Sequence, residues 1–475
     1  MKGREVVIGI DLGTGGARVV ASDRNGTITA SAEQQLAEPS PERPAGYCEQ
    51  DASDWWDTVA RALRQLASAL PGDCRPLAIA VDGTSGTIVP VDEDGNALGP
   101  AIMHNDTRAS RQADEVAAAA GQPVSSTFAL PKALWVKQET PEVFRHATRF
   151  VHETDFVVGK LTGTFSVSDT FNVLKMGYDL HEDKWPEFIE TKLGIPVKML
   201  PRVVEPGGVI GTVSAEASEE TGITKGTPVV AGATDSNAAF FASGATCEGE
   251  WNSTLGTSLA FKGISRSYIA DALGRVYCHR HPEHLWLPGS ASNTGADCMQ
   301  VMFGNEYESL HAVVGGHFPS RLLVYPLVRK GERFPFIDED AGGFIVGDPT
   351  DKLDLFAAYM EGVAYVERWG YELFESLGAP VGKTVYATGG GARSDTWLRV
   401  RANVLNRVMA RADVAESAMG AAIIAASRTM YDSLSEAARN MVKLDLKIEP
   451  DLQTAERYDE LYSRFREETG RRGYG

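Results

Sequence analysis

Val6-Val7-Ile8-Gly9-Ile10-Asp11-Leu12-Gly13-Thr14-Gly15-Gly16-Ala17-Arg18-Val19-Val20-Ala21 sets the architecture from the first residues. Val6 to Ile10 is an unbroken apolar run, the pattern of a strand buried on both faces. Asp11 to Gly16 is a glycine-rich turn, and Ala17 to Ala21 reads as the returning strand. Asn25-Gly26 supplies a second hairpin signal before Thr27-Ile28-Thr29-Ala30. The chain therefore opens as a three-strand meander whose first turn carries an acid and little side-chain bulk.

Further along, Trp55, Val59, Leu63, Leu66 and Leu70 recur at helical spacing. Leu77 to Val81 is another buried strand and ends in Asp82-Gly83-Thr84-Ser85-Gly86. Ile88 to Val91 leads into a hairpin at Glu93-Asp94-Gly95-Asn96. Similar grammar returns halfway along. Pro228 to Gly232 is strand-like and runs into Ala233-Thr234-Asp235-Ser236-Asn237, with a helical stretch over 238–245. Glu250 to Leu259 reads as strand–turn–strand bent at Gly256, and Val385 to Thr388 as a strand followed by Gly389-Gly390-Gly391. Turns of one kind at 11–16 and 254–258 predict two similar halves around a cleft, residues 1–245 and 246–475. Strands alternating with helices make the class α/β. The charged, amphipathic tail Glu456 to Arg472 predicts a terminal helix, solvated or laid back on the first half.

Composition narrows the function classes. The chain has 475 residues, 43% hydrophobic and 23% charged, which excludes a disordered or fibrous chain. Lys and Arg number 46 against 64 Asp and Glu, a net charge of -18. That surface repels nucleic acid and anionic membrane, so neither is expected as a partner. No apolar run approaches ~20 residues, and the N-terminal one is too short for a signal sequence. Five scattered cysteines without a C-x-x-C pair predict a reduced, cytoplasmic chain.

Three loops carry candidate chemistry, and each has a plain structural reading beside it. The Asp11–Gly16 turn offers backbone N–H groups free of Cβ obstruction, as phosphate sites need, while Asp11 suits the cation of a nucleotide. It is not a Walker A loop, since no Gly-Lys-Ser/Thr follows, and it is equally a plain β-turn. Asp235 lies just past a buried strand, where α/β proteins place their chemistry, or serves as a helix N-cap. Gly389-Gly390-Gly391 permits close approach of a ligand, or makes a tight strand-to-helix joint. Cys278-His279-Arg280-His281-Pro282-Glu283-His284 has four soft ligands in seven residues. Its flanks read as strands, whose neighbouring side chains diverge, so no metal site is expected there.

Taken in order, IDLGTGGAR, DGTSGT, GATDS, STLGTS and TGGGARSDTW resemble the FGGY family of carbohydrate kinases, over nearly the whole chain. LPKALWVKQETPEVF (130–144), around Lys132 and Trp135, is similar to one family signature. GGFIVG (342–347) with DLFAAYMEGVAY (354–365) is similar to another. The resemblance implies two ribonuclease-H-like, actin-like ATPase domains, with ATP and Mg²⁺ as cofactors and a sugar held on the N-terminal side. It places Asp11, Gly13 and Thr14 at the first phosphate turn, with Asp11 toward the metal, and Gly256 and Thr257 at the second. Gly389, Gly390 and Gly391 would pass along the adenosine, with Ser394 and Trp397 near the base. Asp235 matches the catalytic base, and Asp82, Ser85 and Asp235 the sugar contacts.

The 82–87 loop lacks the Met-His-Gly of typical xylulokinases and the Arg-Glu of glycerol kinases. It is closer to D-ribulose kinase members of the family. So are Asn172 to Tyr178, Gly289 to Asn293, and Tyr325-Pro326-Leu327 with Gly331-Glu332-Arg333-Phe334-Pro335. His104-Asn105-Asp106-Thr107-Arg108 instead looks like xylulokinase. The expectation is phosphorylation of D-ribulose to D-ribulose 5-phosphate by a monomer or homodimer, with D-xylulose or another polyol as the alternative acceptor. An actin-like ATP-binding protein without kinase activity is the reading from another class.

Overall fold

The computed structural model describes residues 3–37 and 44–475. The chain forms two compact units, Met1–Ala242 with Glu416–Val442, and Ser243–Ala415 with Lys443–Gly475.

The first unit is built on a six-stranded sheet: β1 (Arg4–Gly13), β2 (Gly16–Asp23), β3 (Ile28–Gln35), β4 (Cys74–Gly83), β5 (Val209–Thr212) and β6 (Pro228–Thr234), in the order β5-β6-β4-β1-β2-β3. The opening meander forms as expected. β1 and β2 pair antiparallel as far as Gly13 opposite Gly16, leaving Thr14-Gly15 as a two-residue turn. β1 runs parallel to β4, and β4 parallel to β6.

Side chains of β1 alternate between two buried faces. Ile8, Ile10 and Leu12 join Trp55, Val59 and Leu63 of the helix Ala52–Ala69 in one core. Asp51 caps that helix, accepting from the Ser53 amide at 2.9 Å. Gly9 faces the other way, against the helix Ser417–Ala426, where a Cβ would stand 1.9 Å from the Ala418 carbonyl oxygen. That helix, SAMGAAIIAA, is apolar all round and small enough to lie close to the sheet.

The second unit repeats the plan. Its sheet comprises β7 (Trp251–Leu255), β8 (Leu259–Gly263), β9 (Tyr277–His281), β10 (Leu285–Ser292), β11 (Thr384–Thr388), β12 (Val408–Ala412) and β13 (Leu444–Ile448). The order is β9-β10-β8-β7-β11-β12-β13. Here β7 pairs antiparallel with β8 and parallel with β11, as β1 does with β2 and β4. Both units are thus of the α/β class expected, and in the first unit the sheet has helices on both faces. The 25-residue helix Lys352–Ser376 packs on this sheet, with Trp251 and Phe374 at a ring-centroid distance of 4.3 Å.

Two expectations need correction or refinement. The terminal helix, Leu452–Arg471, belongs to the second unit and is not merely solvated. Ala455, Tyr458, Tyr462, Phe465 and Thr469 form a buried stripe at three- and four-residue spacing, and Tyr458 OH donates to Glu361 at 2.6 Å. The segment that joins the first unit from the C-terminal half is Glu416–Val442. The change of unit falls between Ala242 and Ser243 rather than at 245. The Cys278–His284 stretch is the β9–β10 hairpin, with the Cys278 thiol donating to the Ile269 carbonyl. Among the described residues no group of three or more His, Cys, Asp or Glu side chains is arranged to hold a metal ion. No described helix is long and apolar enough to cross a membrane.

Candidate active site

In the first unit the parallel strands β1, β4 and β6 end side by side. Asp11 pairs with Asp82 across β1 and β4, and Ala233 and Thr234 pair with Asp82 and Gly83 across β6 and β4. Asp235 follows at once, as first residue of the helix Asp235–Ser243. Three acids thus meet at the carboxyl edge of one sheet, where α/β folds place ligands.

The environments of these acids differ. Asp82 is wholly buried, and no donor faces either carboxyl oxygen. Burial first, then the charge of Asp11, drives its pKa well above the usual range, which favours its neutral form beside Asp11. Asp11 is half-buried, and burial raises its pKa too, against the hydrogen bond from Asp82. Asp82, read from the sequence as a sugar contact, is fully buried here and lies beside Asp11. Asp235 is partly exposed, with one carboxylate oxygen 2.6 Å from the Ser236 amide.

The loop after β4 is held from below. Glu153, fully buried, accepts from the Thr84 amide at 2.6 Å and from the Thr84 hydroxyl. Burial pushes Glu153 up to about 8. Lys132, wholly buried, donates to the carbonyls of Gly86 at 2.8 Å, Met103 at 2.7 Å and Thr127 at 2.9 Å. All three ammonium protons are used, and burial lowers Lys132 to about 7. Lys175 donates to the Ser85 carbonyl at 3.1 Å.

Two polar groups of this region lack hydrogen-bond partners among the described residues. Ser85 Oγ and His104 Nδ1 are buried atoms that no described hydrogen bond satisfies. Burial lowers the pKa of both His104 and Lys175, and the negative charge of Asp235 opposes it in each case. Two donors of different kind, a hydroxyl and a carboxylate around one site make a polyhydroxy ligand a good match.

In the second unit, β7 and β8 are joined by Gly256-Thr257-Ser258, and Thr257 is exposed. A Cβ on Gly256 would meet no protein atom closer than 4.0 Å. The three glycines after β11 serve different ends. Gly389 has a positive φ of 81°, and a Cβ there would lie 2.6 Å from the Leu255 carbonyl oxygen. A Cβ at Gly391 would lie 2.4 Å from the Leu255 side chain. Only around Gly390 is there open space, so the tight-joint reading holds for two of the three and ligand access for one. Ser394 caps the helix Asp395–Leu405, accepting from the Trp397 amide at 3.0 Å, and lies 2.5 Å from His311 Nε2. Trp397 is 1% exposed and donates its indole N–H to the Met360 carbonyl at 3.0 Å. It is a core side chain here, because its position in the first turn of the helix faces Lys352–Ser376 rather than solvent.

The sequence reading did not assign Glu153, His104 or Lys175 to the site. Glu153 and Lys175 stand far from the turn motifs along the chain, and only the fold brings them beneath the 82–87 loop. His104 had a sequence signal in His104-Asn105-Asp106-Thr107-Arg108, read only as a mark of family subtype.

Comparison with known proteins agrees over both units. Residues 6–242 match the model of the FGGY family of carbohydrate kinases, N-terminal domain, and residues 252–429 that of the C-terminal domain. The chain is 28% identical to the xylulose kinase of Bacillus subtilis, over 97% of this chain and 96% of that protein. It is 24% identical to a gluconokinase of Bacillus licheniformis, over 97% and 94%. The crystal structure of xylulose kinase from Rhodospirillum rubrum superposes with a TM-score of 0.88 at 27% identity, covering 98% of each chain.

Proposed function

The chain belongs to the FGGY family of carbohydrate kinases, an ATP-dependent sugar kinase, and from that premise we propose that it phosphorylates D-xylulose to D-xylulose 5-phosphate. The observation that carries the choice of sugar is the end-to-end likeness to proteins named xylulose kinase. His104 beside Asp235, within the His104–Arg108 stretch, supports it. Kinase membership removes the reading as an ATP-binding protein without sugar chemistry.

Phosphoryl transfer asks for alignment, charge neutralisation and a proton acceptor rather than covalent help from the protein. Asp235 is the proposed base. It takes the proton of the attacking hydroxyl, a role worth about 10²–10⁴-fold. Ser85, His104 and Lys175 are the proposed sugar contacts, orienting that hydroxyl toward the carboxylate. The turns at Gly13-Thr14 and Gly256-Thr257 are proposed to offer N–H groups to the phosphates. Gly390 leaves room for the adenosine, and Ser394 stands nearby as the cap of the next helix.

Mg²⁺ fits the donor set. It binds through one or two carboxylates plus substrate phosphates rather than an all-protein cage. Asp11, partly exposed and backed by Asp82, supplies such a carboxylate. When bound, the ion offsets charge on the migrating phosphoryl group.

D-Ribulose is the second reading, favoured by Asp82-Gly83-Thr84-Ser85-Gly86-Thr87, whose Ser85 hydroxyl is buried without a hydrogen-bond partner among the described residues. The test is coupled ADP release with Mg-ATP across D-xylulose, D-ribulose, L-ribulose, glycerol and gluconate, against a blank without sugar. Highest kcat/KM with D-xylulose supports the proposal. A preference for D-ribulose replaces it with the second reading, and one for gluconate or glycerol overturns both.

A further inference from the structure

Glu332 lies in Gly331-Glu332-Arg333-Phe334-Pro335, a stretch the proposed chemistry does not use. It is 3% exposed. A carboxylate so deep is costly unless hydrogen-bonded throughout. Its Oε2 accepts from Ser292 Oγ at 2.8 Å, Thr294 Oγ1 at 3.1 Å and Tyr325 OH at 2.9 Å. Its Oε1 accepts from the amides of Asn293 at 2.7 Å and Arg333 at 2.9 Å. Three of these five neutral donors come from consecutive residues, 292 to 294. One side chain thus pins the backbone where β10 ends.

That backbone is the support of the second turn. The Leu259 amide donates to the Thr294 carbonyl at 2.9 Å, and the Ala296 amide to the Gly256 carbonyl at 2.8 Å. Gly295 fits so closely that a Cβ would lie 2.2 Å from the Thr257 carbonyl oxygen. The chain of contact runs from the Glu332 carboxylate to Ser292-Asn293-Thr294, then through Gly295 and Ala296 to Gly256-Thr257, without a gap.

We infer that Glu332 is a positioning residue for nucleotide binding: through 292–296 it fixes the Gly256-Thr257 turn. The inference rests on the proposed reading of that turn as a phosphate site. Donors that hold phosphate work by being fixed before the ligand arrives, so loosening what lies behind them costs affinity. Nothing in this network involves the sugar side, so the loss is confined to nucleotide.

The test is calorimetric titration of the full chain with ADP, and separately with the most active sugar of the acceptor panel. The variants are Glu332→Gln, Thr294→Val and Gly256→Ala. A Gln nitrogen cannot accept, so Glu332→Gln breaks two or three of the five bonds. The expected result is an ADP Kd raised about 5- to 20-fold in Glu332→Gln and about 2- to 5-fold in Thr294→Val, at or below the roughly 10–100-fold that losing an outer-shell partner costs a metal site. Sugar Kd stays unchanged. A role in stability alone lowers Tm without separating the two ligands, so equal loss of both, or loss of neither, overturns the inference. Gly256→Ala tests the turn itself, because its methyl meets open space. Unchanged ADP affinity there overturns the phosphate-turn reading and the inference with it. Weakened ADP affinity there, with wild-type affinity in the other two, overturns the role of Glu332 alone. If Glu332→Gln does not fold, Thr294→Val decides.

Discussion

Asp82 stands directly opposite Asp11 on the neighbouring parallel strand, fully buried, with no donor facing either carboxyl oxygen. Burial and the charge of Asp11 both favour the neutral form of Asp82, the deeper of the two. Asn mimics that neutral form and can still donate to Asp11. Asp82→Asn should therefore fold, with Tm within about 4 °C of wild type, the scale of a change near 1 kcal/mol or less in a domain this size. Sugar KM should move less than about threefold, since a buried group makes no ground-state contact. A rise of tenfold or more in sugar KM alone would restore Asp82 as a direct sugar ligand.

Asp235→Asn keeps the shape at the start of its helix and removes the proton acceptor. Turnover should fall by about 10²–10⁴-fold while ADP and sugar still bind, because a base acts in the transition state. Coupled kinetics together with titration of both ligands checks this. Turnover near wild type would end the assignment.

Glu153 gives a pH prediction. Its carboxyl is raised by burial from 4.5 to about 8, so between those values the folded state holds a proton that the unfolded state has released. Stability therefore falls as pH rises through that window. Glu153→Gln removes this dependence and retains an oxygen for the Thr84 amide. Thermal melts from pH 5 to 8 should show a shallower decline in Tm for the variant, the difference from wild type growing with pH on the order of 2–4 kcal/mol. Parallel curves would mean that Glu153 is already ionised in the fold.

Most strands and turns of both sheets were legible because their signals are local, though Val209–Thr212, Val408–Ala412 and Leu444–Ile448 were not read as strands. An unbroken apolar run such as Val6–Ile10, ended by Asp11 and glycines, has few other readings. The 82–87 loop and Asp235 were found the same way, at strand ends. What stayed hidden was contact across the chain. Whether Asp82 faced solvent or Asp11 depended on the depth of β4, which residue types do not reveal. Trp397 was assigned by position in a motif, yet its indole is taken up by Met360, 37 residues earlier in sequence. The small apolar helix Ser417–Ala426 gave no hint that its partner was Gly9, four hundred residues away. Lys175 and Glu153 became visible only with the loop they hold.

Lys132 is the strongest case of such long-range support. Its ammonium binds three carbonyls, those of Gly86, Met103 and Thr127, with no acid in hydrogen-bond contact among the described residues. Lys132→Met fills the space and leaves three buried acceptors unpaired, at a cost of about 1–3 kcal/mol for each that water does not reach. The variant should melt well below wild type, and its sugar KM should rise more than its ATP KM, because the Gly86 carbonyl is an anchor of the loop that carries Ser85. The sign of the pH effect follows from the lowered pKa. Between about 7 and 10.5 the unfolded chain holds a proton on Lys132 that the folded chain has released, so this group makes stability rise with pH. Lys132→Met should lose that rise, and melts from pH 7 to 9.5 would show it. A wild-type sugar KM and an unchanged alkaline slope would mean that the three bonds do not brace the loop and that burial does not lower the lysine.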